Sequence, residues 1–287
     1  MKTILIPTDF SPNAWNAISF AMDFFKEEEC LFYFLHTYTP SFFRTDFMIG
    51  GSGYSGIPNV GTDISHAGLQ KTLADVRHQY PNTKHRYKMI SAFNVLTDEI
   101  NRLVKKKKVD MVVMGTKGAT GARQLFLGSN TVFVLRKVKV PLLMVPESFE
   151  NKPIQKILFS TDYLLPFKKD DLMVMINVAK MFQAEITVLH IKEEYELTAA
   201  QQNNKAFLDS CLQGIPHQIK EEKGKYMPLA ILEYISEHGF QLLVMMNRKH
   251  SLFEHLLLKQ NIDQIGFHVK IPFLVIPDTL MKKKKTT

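Results

Sequence analysis

Apolar residues in this chain recur in two alternating patterns. Short runs such as KTILIP (2–7), CLFYFL (30–35), MVVMG (111–115) and PLLMV (141–145) are continuous and rich in β-formers. Such runs mark strands buried on both faces, as in a parallel sheet. The stretches between them carry apolar residues at helical spacing, and helices between strands imply βαβ units. Ser11-Pro12 reads as a helix start, with serine at the N-cap and proline in the first turn. In the segment from Asp98 to Lys108, acids come early and lysines late, which suits the helix dipole.

The pattern then repeats. KTILIPTDFSP near the start matches QKILFSTDYLLP near the middle, and Thr8-Asp9 matches Thr161-Asp162. Leu35-His36 ends the second strand of one half as Leu189-His190 ends that of the other. The offsets are 162 − 9 = 153 and 190 − 36 = 154 residues. VDMVVMG (109–115) corresponds to FQLLVMMN (240–247), and KVPLLMVP (139–146) to KIPFLVIP (270–277). Two α/β domains follow, residues 1–147 and 153–280, joined by the proline-flanked PESFENKP and trailed by a basic tail, 281–287. The halves differ most after the second strand. The first inserts a glycine-rich loop over about 40–68, whereas the second has the more helical LTAAQQNNKAFLDSCLQG.

Candidate chemistry concentrates in MGTKGATGARQLFLGSNT, Met114 to Thr131, between the fourth strand and a helix. In a doubly wound sheet, ligands bind outside the carboxyl ends of the strands, where strand order reverses. Gly115 and Gly118 lack a Cβ, so a phosphate can approach the backbone. Gly128-Ser129 opens a helix whose first N–H groups point at the same place, and Lys117 and Arg123 add positive charge. The spacing Gly115, two residues, Gly118, nine residues, Gly128-Ser129 resembles the ATP-binding signature of the universal stress protein family. PTDFS (7–11) resembles the same family's nucleotide-binding members.

That resemblance implies two flavodoxin-like, Rossmann-like doubly wound domains. Each would have a five-stranded parallel sheet of order 3-2-1-4-5 with helices on both faces. It further implies that Asp9 and Thr37 border an adenine, with Pro7 nearby, and that Met114 and Gly115 run along the adenosine. Gly118, Gly128, Ser129 and Asn130 would hold ribose and phosphates. The cofactor is then ATP or AMP, with or without magnesium, in a tandem universal stress protein whose halves pair as an intramolecular pseudo-dimer; a homodimer stays open. A structural reading stands beside this one: the glycines serve a tight turn, and Asp9 only hydrogen-bonds the following helix.

The second half departs from the signature. Aligned on the strand ends, Asn247, His250, Gln260 and Asn261 replace Gly115, Gly118, Gly128 and Ser129. Each glycine has gained a Cβ, so this half is expected to be degenerate. GSGYSG (51–56) spells a dinucleotide fingerprint but does not follow a strand directly, which argues against that use. His36 and His190 read as hydrogen-bonded core residues, and the spacing of His250 and His255 suits no zinc site.

Composition narrows the classes. Thirty-six basic against 28 acidic residues give +8, but the excess sits in Lys105–Lys108 and Lys282–Lys285, without a nucleic-acid motif. Two cysteines make no disulfide framework, no apolar run is long enough to cross a bilayer, and the first residues reach Pro7 and Asp9 too early for a signal peptide. A cytoplasmic location without membrane contact is expected. Three functions remain: a nucleotide-linked stress regulator, a slow ATPase or self-phosphorylating enzyme, and a nucleotide-independent interaction protein. The enzyme lacks an acidic residue within 114–131; Asp110 begins the fourth strand, at the opposite sheet edge.

Overall fold

The computed structural model describes residues 1–38, 58–116, 129–147, 149–150, 152–192, 196–223, 227–247 and 269–278. The first half contains β1 (Lys2–Pro7), α1 (Pro12–Phe24), β2 (Cys30–Tyr38), α2 (Pro58–Gln79), β3 (His85–Phe93), α3 (Leu96–Lys107), β4 (Met111–Gly115), α4 (Ser129–Lys137) and β5 (Leu142–Val145). The second contains β6 (Lys156–Ser160), α5 (Lys169–Phe182), β7 (Glu185–Lys192), α6 (Ala199–Leu212), β8 (His217–Lys223), α7 (Met227–His238), β9 (Leu242–Asn247) and β10 (Phe273–Pro277).

Among the described residues, the ten strands form one sheet, ordered β3-β2-β1-β4-β5-β10-β9-β6-β7-β8. Within each half this is the order 3-2-1-4-5, and neighbouring strands run parallel. The exception is the junction, where β5 and β10 pair antiparallel through Met144↔Phe273, Leu143↔Leu274 and Leu142↔Val275. The sheet is therefore mixed.

Burial explains which strands lie inside. Central β4 and β5 are buried throughout, in line with their continuous apolar runs. The outermost strands are polar: β8 (HQIKEEK) is exposed over its last four residues, and β3 (HRYKMISAF) carries Arg86 and Lys88. Charge on these edges opposes further strand addition. Alternation along each strand sorts the core into two layers. Ile4, Ile6, Phe32 and Phe34 face the α1, α2 and α5 side, while Leu5, Tyr33 and Leu35 face α3, α4 and α7.

Both layers run across the two halves. Phe24 of α1 meets Phe182 of α5 with ring centroids 5.1 Å apart. The connecting segment is tied down as well: Phe149 packs edge-on to Phe20 at 5.7 Å, and Asn16 Nδ2 donates to the Pro146 carbonyl at 2.8 Å. Cys30 is buried and free, its thiol pushed up to about 12 by desolvation; Cys211 is also free.

Helix α1 starts as the sequence indicates. Ser11 is its N-cap, accepting from Ala14 N–H, with Pro12 in the first turn. Helix α3 carries Asp98 and Glu99 in its first turn and three lysines in its last. Of the glycine-rich loop expected over about 40–68, residues 58–68 are helical instead: α2 begins at Pro58 and takes in Gly61 and Gly68. Both glycines admit an aromatic ring. A Cβ on Gly61 would lie 3.0 Å from the Tyr38 ring, and one on Gly68 would lie 2.4 Å from the Phe10 ring. Close packing outweighs the weak helix propensity of glycine, about 1 kcal/mol each. The GSGYSG segment and the basic tail lie outside the described residues.

Candidate functional site

The carboxyl ends of β1, β2 and β4 meet where the chain reverses strand order, between β1 and β4. β1 ends in a tight turn. Phe10 N–H donates to Thr8 Oγ1 at 3.1 Å, and Ser11 N–H donates to Asp9 Oδ1 at 3.1 Å. The Ser11 hydroxyl donates to the same carboxylate oxygen at 2.5 Å. Phe10 takes a left-handed conformation, φ 64°. Asp9 thus does what the structural reading assigned to it: it holds the entry to α1.

The second half repeats this turn. Tyr163 N–H donates to Thr161 Oγ1 at 3.2 Å, Leu164 N–H donates to Asp162 Oδ1 at 3.0 Å, and Tyr163 has φ 57°. Asp162 thus serves the backbone turn in the half without the glycine signature.

Side-chain alternation separates the remaining candidates into two faces. Leu5 and Leu35 belong to the α3/α4 layer, so Pro7 and Thr37, two residues on, take that same face; Met114 is buried in that layer too. Three predicted adenosine neighbours are thereby gathered at one end of one face. His36 takes the other face. Its Nδ1 lies 2.9 Å from Ser65 Oγ, which is 2.7 Å from Ser91 Oγ. Burial lowers the His36 pKa, while Asp9 pulls it upward. Phe10 stacks on its ring at 4.5 Å, and Tyr38 stacks beyond at 6.3 Å. His36 is the hydrogen-bonded histidine that the sequence suggested. So is His190, whose Nδ1 donates to the Thr161 carbonyl at 3.1 Å.

Gly115 has a role not anticipated from its spacing. A Cβ there would come within 2.5 Å of Asn13 Nδ2, 2.8 Å of its Cγ and 3.0 Å of its backbone oxygen. This glycine lets α1 lie close against β4. Asn13, 3% exposed, was missed because nothing in the sequence links it to a residue a hundred positions away. The aromatic after each Thr-Asp was also passed over, although its recurrence as Phe10 and Tyr163 was a visible signal.

Gly118 and Gly128, with Lys117 and Arg123, lie outside the described residues. α4 begins at Ser129, as expected, but the side chains of Ser129 and Asn130 are likewise outside them. Further along α4, Thr131 Oγ1 donates weakly to the Gly115 and Thr116 carbonyls at 3.4 Å, tying the helix to the end of β4. Asp110 sits just before β4, at the opposite, amino ends of the strands, and accepts from Thr3 N–H at 2.7 Å, a structural task. In the second half, Asn247 stands where Gly115 stands in the first, and its Nδ2 donates to the Leu135 carbonyl of α4 at 2.8 Å. The side chain replacing that glycine therefore bonds the other half. His250, Gln260 and Asn261 are outside the described residues.

Among the described residues, no cluster of His, Cys, Asp or Glu could hold a metal ion, and no helix is long and apolar enough to cross a membrane.

Comparison with known proteins agrees with this architecture. Two universal stress proteins of Methanocaldococcus jannaschii are each 27% identical to the chain: MJ0531 over 149 residues and MJ0577 over 154. Each alignment covers 50% of this chain, and 81% and 94% of the respective relative. The crystal structure of a universal stress protein from Archaeoglobus fulgidus superposes with a TM-score of 0.70 at 19% identity, covering 96% of this chain and 98% of that one. The family described as "Universal stress protein family" matches residues 1–146 and again 154–277, so the chain belongs to the universal stress protein family, with two copies of its domain in tandem.

Proposed function

We propose that the first half binds an adenine nucleotide, ATP or AMP, and that the chain acts as a cytoplasmic, nucleotide-linked regulator in the stress response. The observation that carries this reading is the convergence of Pro7, Thr37 and Met114 on one face at the strand-order reversal. From there the chain enters the segment bearing Gly118 and Gly128-Ser129 in the family's spacing. The apolar surfaces of Pro7 and Met114 suit a flat base, and the Thr37 hydroxyl can hydrogen-bond it. Phosphates would fall to the glycines and to the N-terminus of α4. Magnesium would then arrive on the phosphates rather than on a carboxylate cluster.

The second half is proposed as a structural partner. Its Asn247 is committed to Leu135, and the antiparallel β5–β10 pairing supports an intramolecular pseudo-dimer. Uniting the halves in one sheet removes two strand edges that would otherwise be open.

Mass spectrometry of protein denatured straight after purification, with melting curves in Mg-ATP and in AMP, tests the proposal. A ligand at a hundred times its Kd stabilises the folded state by about 2.7 kcal/mol. Gly118→Val should abolish that shift. A melting temperature unmoved by saturating Mg-ATP and AMP would refute it.

A further inference from the structure

The two halves treat one position of the fold differently. In the first, β2 and β3 pair His36 with Ser91, and Ser65 of α2 reaches down to bridge them. In the second, the equivalent pair is His190 and Glu221, on β7 and β8. Here helix α6 leaves a cleft of about 590 Å³ against the sheet. That volume is in the range of small-molecule sites, roughly 300–1,000 Å³.

The walls of the cleft are charged in both signs. Lys205 Nζ lies 2.7 Å from Glu221 Oε1, and Lys192 Nζ lies 2.6 Å from Glu196 Oε1. Asp209, also on the wall, accepts from or pairs with His217 Nε2 at 3.1 Å. Leu197, Ala206 and Ile219 supply an apolar lining. His190 is nearly buried, and with Nδ1–H given to the Thr161 carbonyl its Nε2 is an acceptor in the neutral ring. Beside it, with ring centroids 5.2 Å apart, lies Tyr163. The Tyr163 hydroxyl is fully buried and has no hydrogen-bond partner among the described residues.

We infer that this cleft binds a small zwitterion of the α-amino-acid class. Charge balance selects that class. A polyanion such as a phosphate ester would have to break the half-buried Lys205–Glu221 pair and leave Glu221 beside it uncompensated. A simple cation would meet Lys192 and Lys205. A zwitterion exchanges with the Lys205–Glu221 pair one for one: its carboxylate takes the lysine and its ammonium takes the released glutamate, so neither charge is left alone. The apolar lining then accepts an aliphatic side chain. The site is separate from the nucleotide position: it is in the other half and on the α5/α6 face, where Ile186 and Val188 of β7 precede His190.

Calorimetric titration of the full chain with each of the common L-amino acids, followed by glycine betaine, tests the inference. A single saturable site is expected for at least one of them. The best binder should exceed both its decarboxylated amine and its deaminated acid by roughly tenfold or more, since each analogue forfeits one charge-assisted hydrogen bond. The double variant Lys205→Gln/Glu221→Gln removes a pair exposed at its tips without stranding either charge, and should weaken binding by a similar factor. Circular dichroism and the melting temperature of that variant establish that it is folded. No binding by any of these probes, equal binding by the singly charged analogues, or undiminished binding by the folded double variant would overturn it.

Discussion

Gly115→Ala separates the two roles open to this glycine. The added methyl would sit 2.5 Å from Asn13 Nδ2, 2.8 Å from Cγ and 3.0 Å from the Asn13 carbonyl oxygen. Asn13 cannot swing aside into solvent, being 3% exposed, and its carbonyl is fixed in the first turn of α1. The helix must lift from β4, or the asparagine must leave its rotamer. Overpacking of this kind costs about 1–3 kcal/mol. In a domain of this size that lowers the melting temperature by roughly 2–12 °C. The loss should appear without any nucleotide, in urea or thermal unfolding. Asn13→Ala removes the two nearest clashing atoms, so the double variant should be more stable than the sum of the single losses implies, by about 0.5–3 kcal/mol. A Gly115→Ala protein as stable as the parent, or a cycle with no coupling, would refute the packing argument. If such a protein had also lost nucleotide affinity, the glycine would return to the ligand.

Three further outcomes follow from particular bonds. Asn247→Ala, which deletes the bond to the Leu135 carbonyl, should cost about 0.5–1.5 kcal/mol in urea unfolding, and Asn247→Gly should cost no less. Ser11→Ala, measured the same way, should cost about 0.5–2 kcal/mol through the lost cap of α1. The lowered His36 pKa means that the native state binds fewer protons than the unfolded chain between the native value and the ordinary imidazole value of about 6.5. Stability should therefore fall as pH drops through that window. Urea midpoints from pH 8 to pH 5 should slope less in His36→Gln, and an unchanged slope would show that His36 is not the group responsible.

The periodicity of apolar residues was enough to read the parallel strands and the tandem repeat, because a strand buried on both faces must be apolar at nearly every position. Local capping was legible too, since Ser11 and Pro12 act on their own helix through bonds a few residues long. The Thr-Asp turns were visible as a repeat, although the purpose of Asp9 was not. A bond to Ser11 and a place beside a ligand would call for the same residue at the same spot.

What lay beyond the sequence depends on contacts between distant segments. Whether Gly115 serves a phosphate or Asn13 turns on the approach of α1 to β4, separated by about a hundred residues. Where the insertion ends turns on Phe10 and Tyr38 needing the space that Gly61 and Gly68 vacate, so that helix forms despite its glycines. That α2 closes over His36 while α6 leaves a cleft beside His190 is written in neither helix alone. Local chemistry determined the elements and the repeat; only packing decided which side chains fill the ends of the strands and which leave room there.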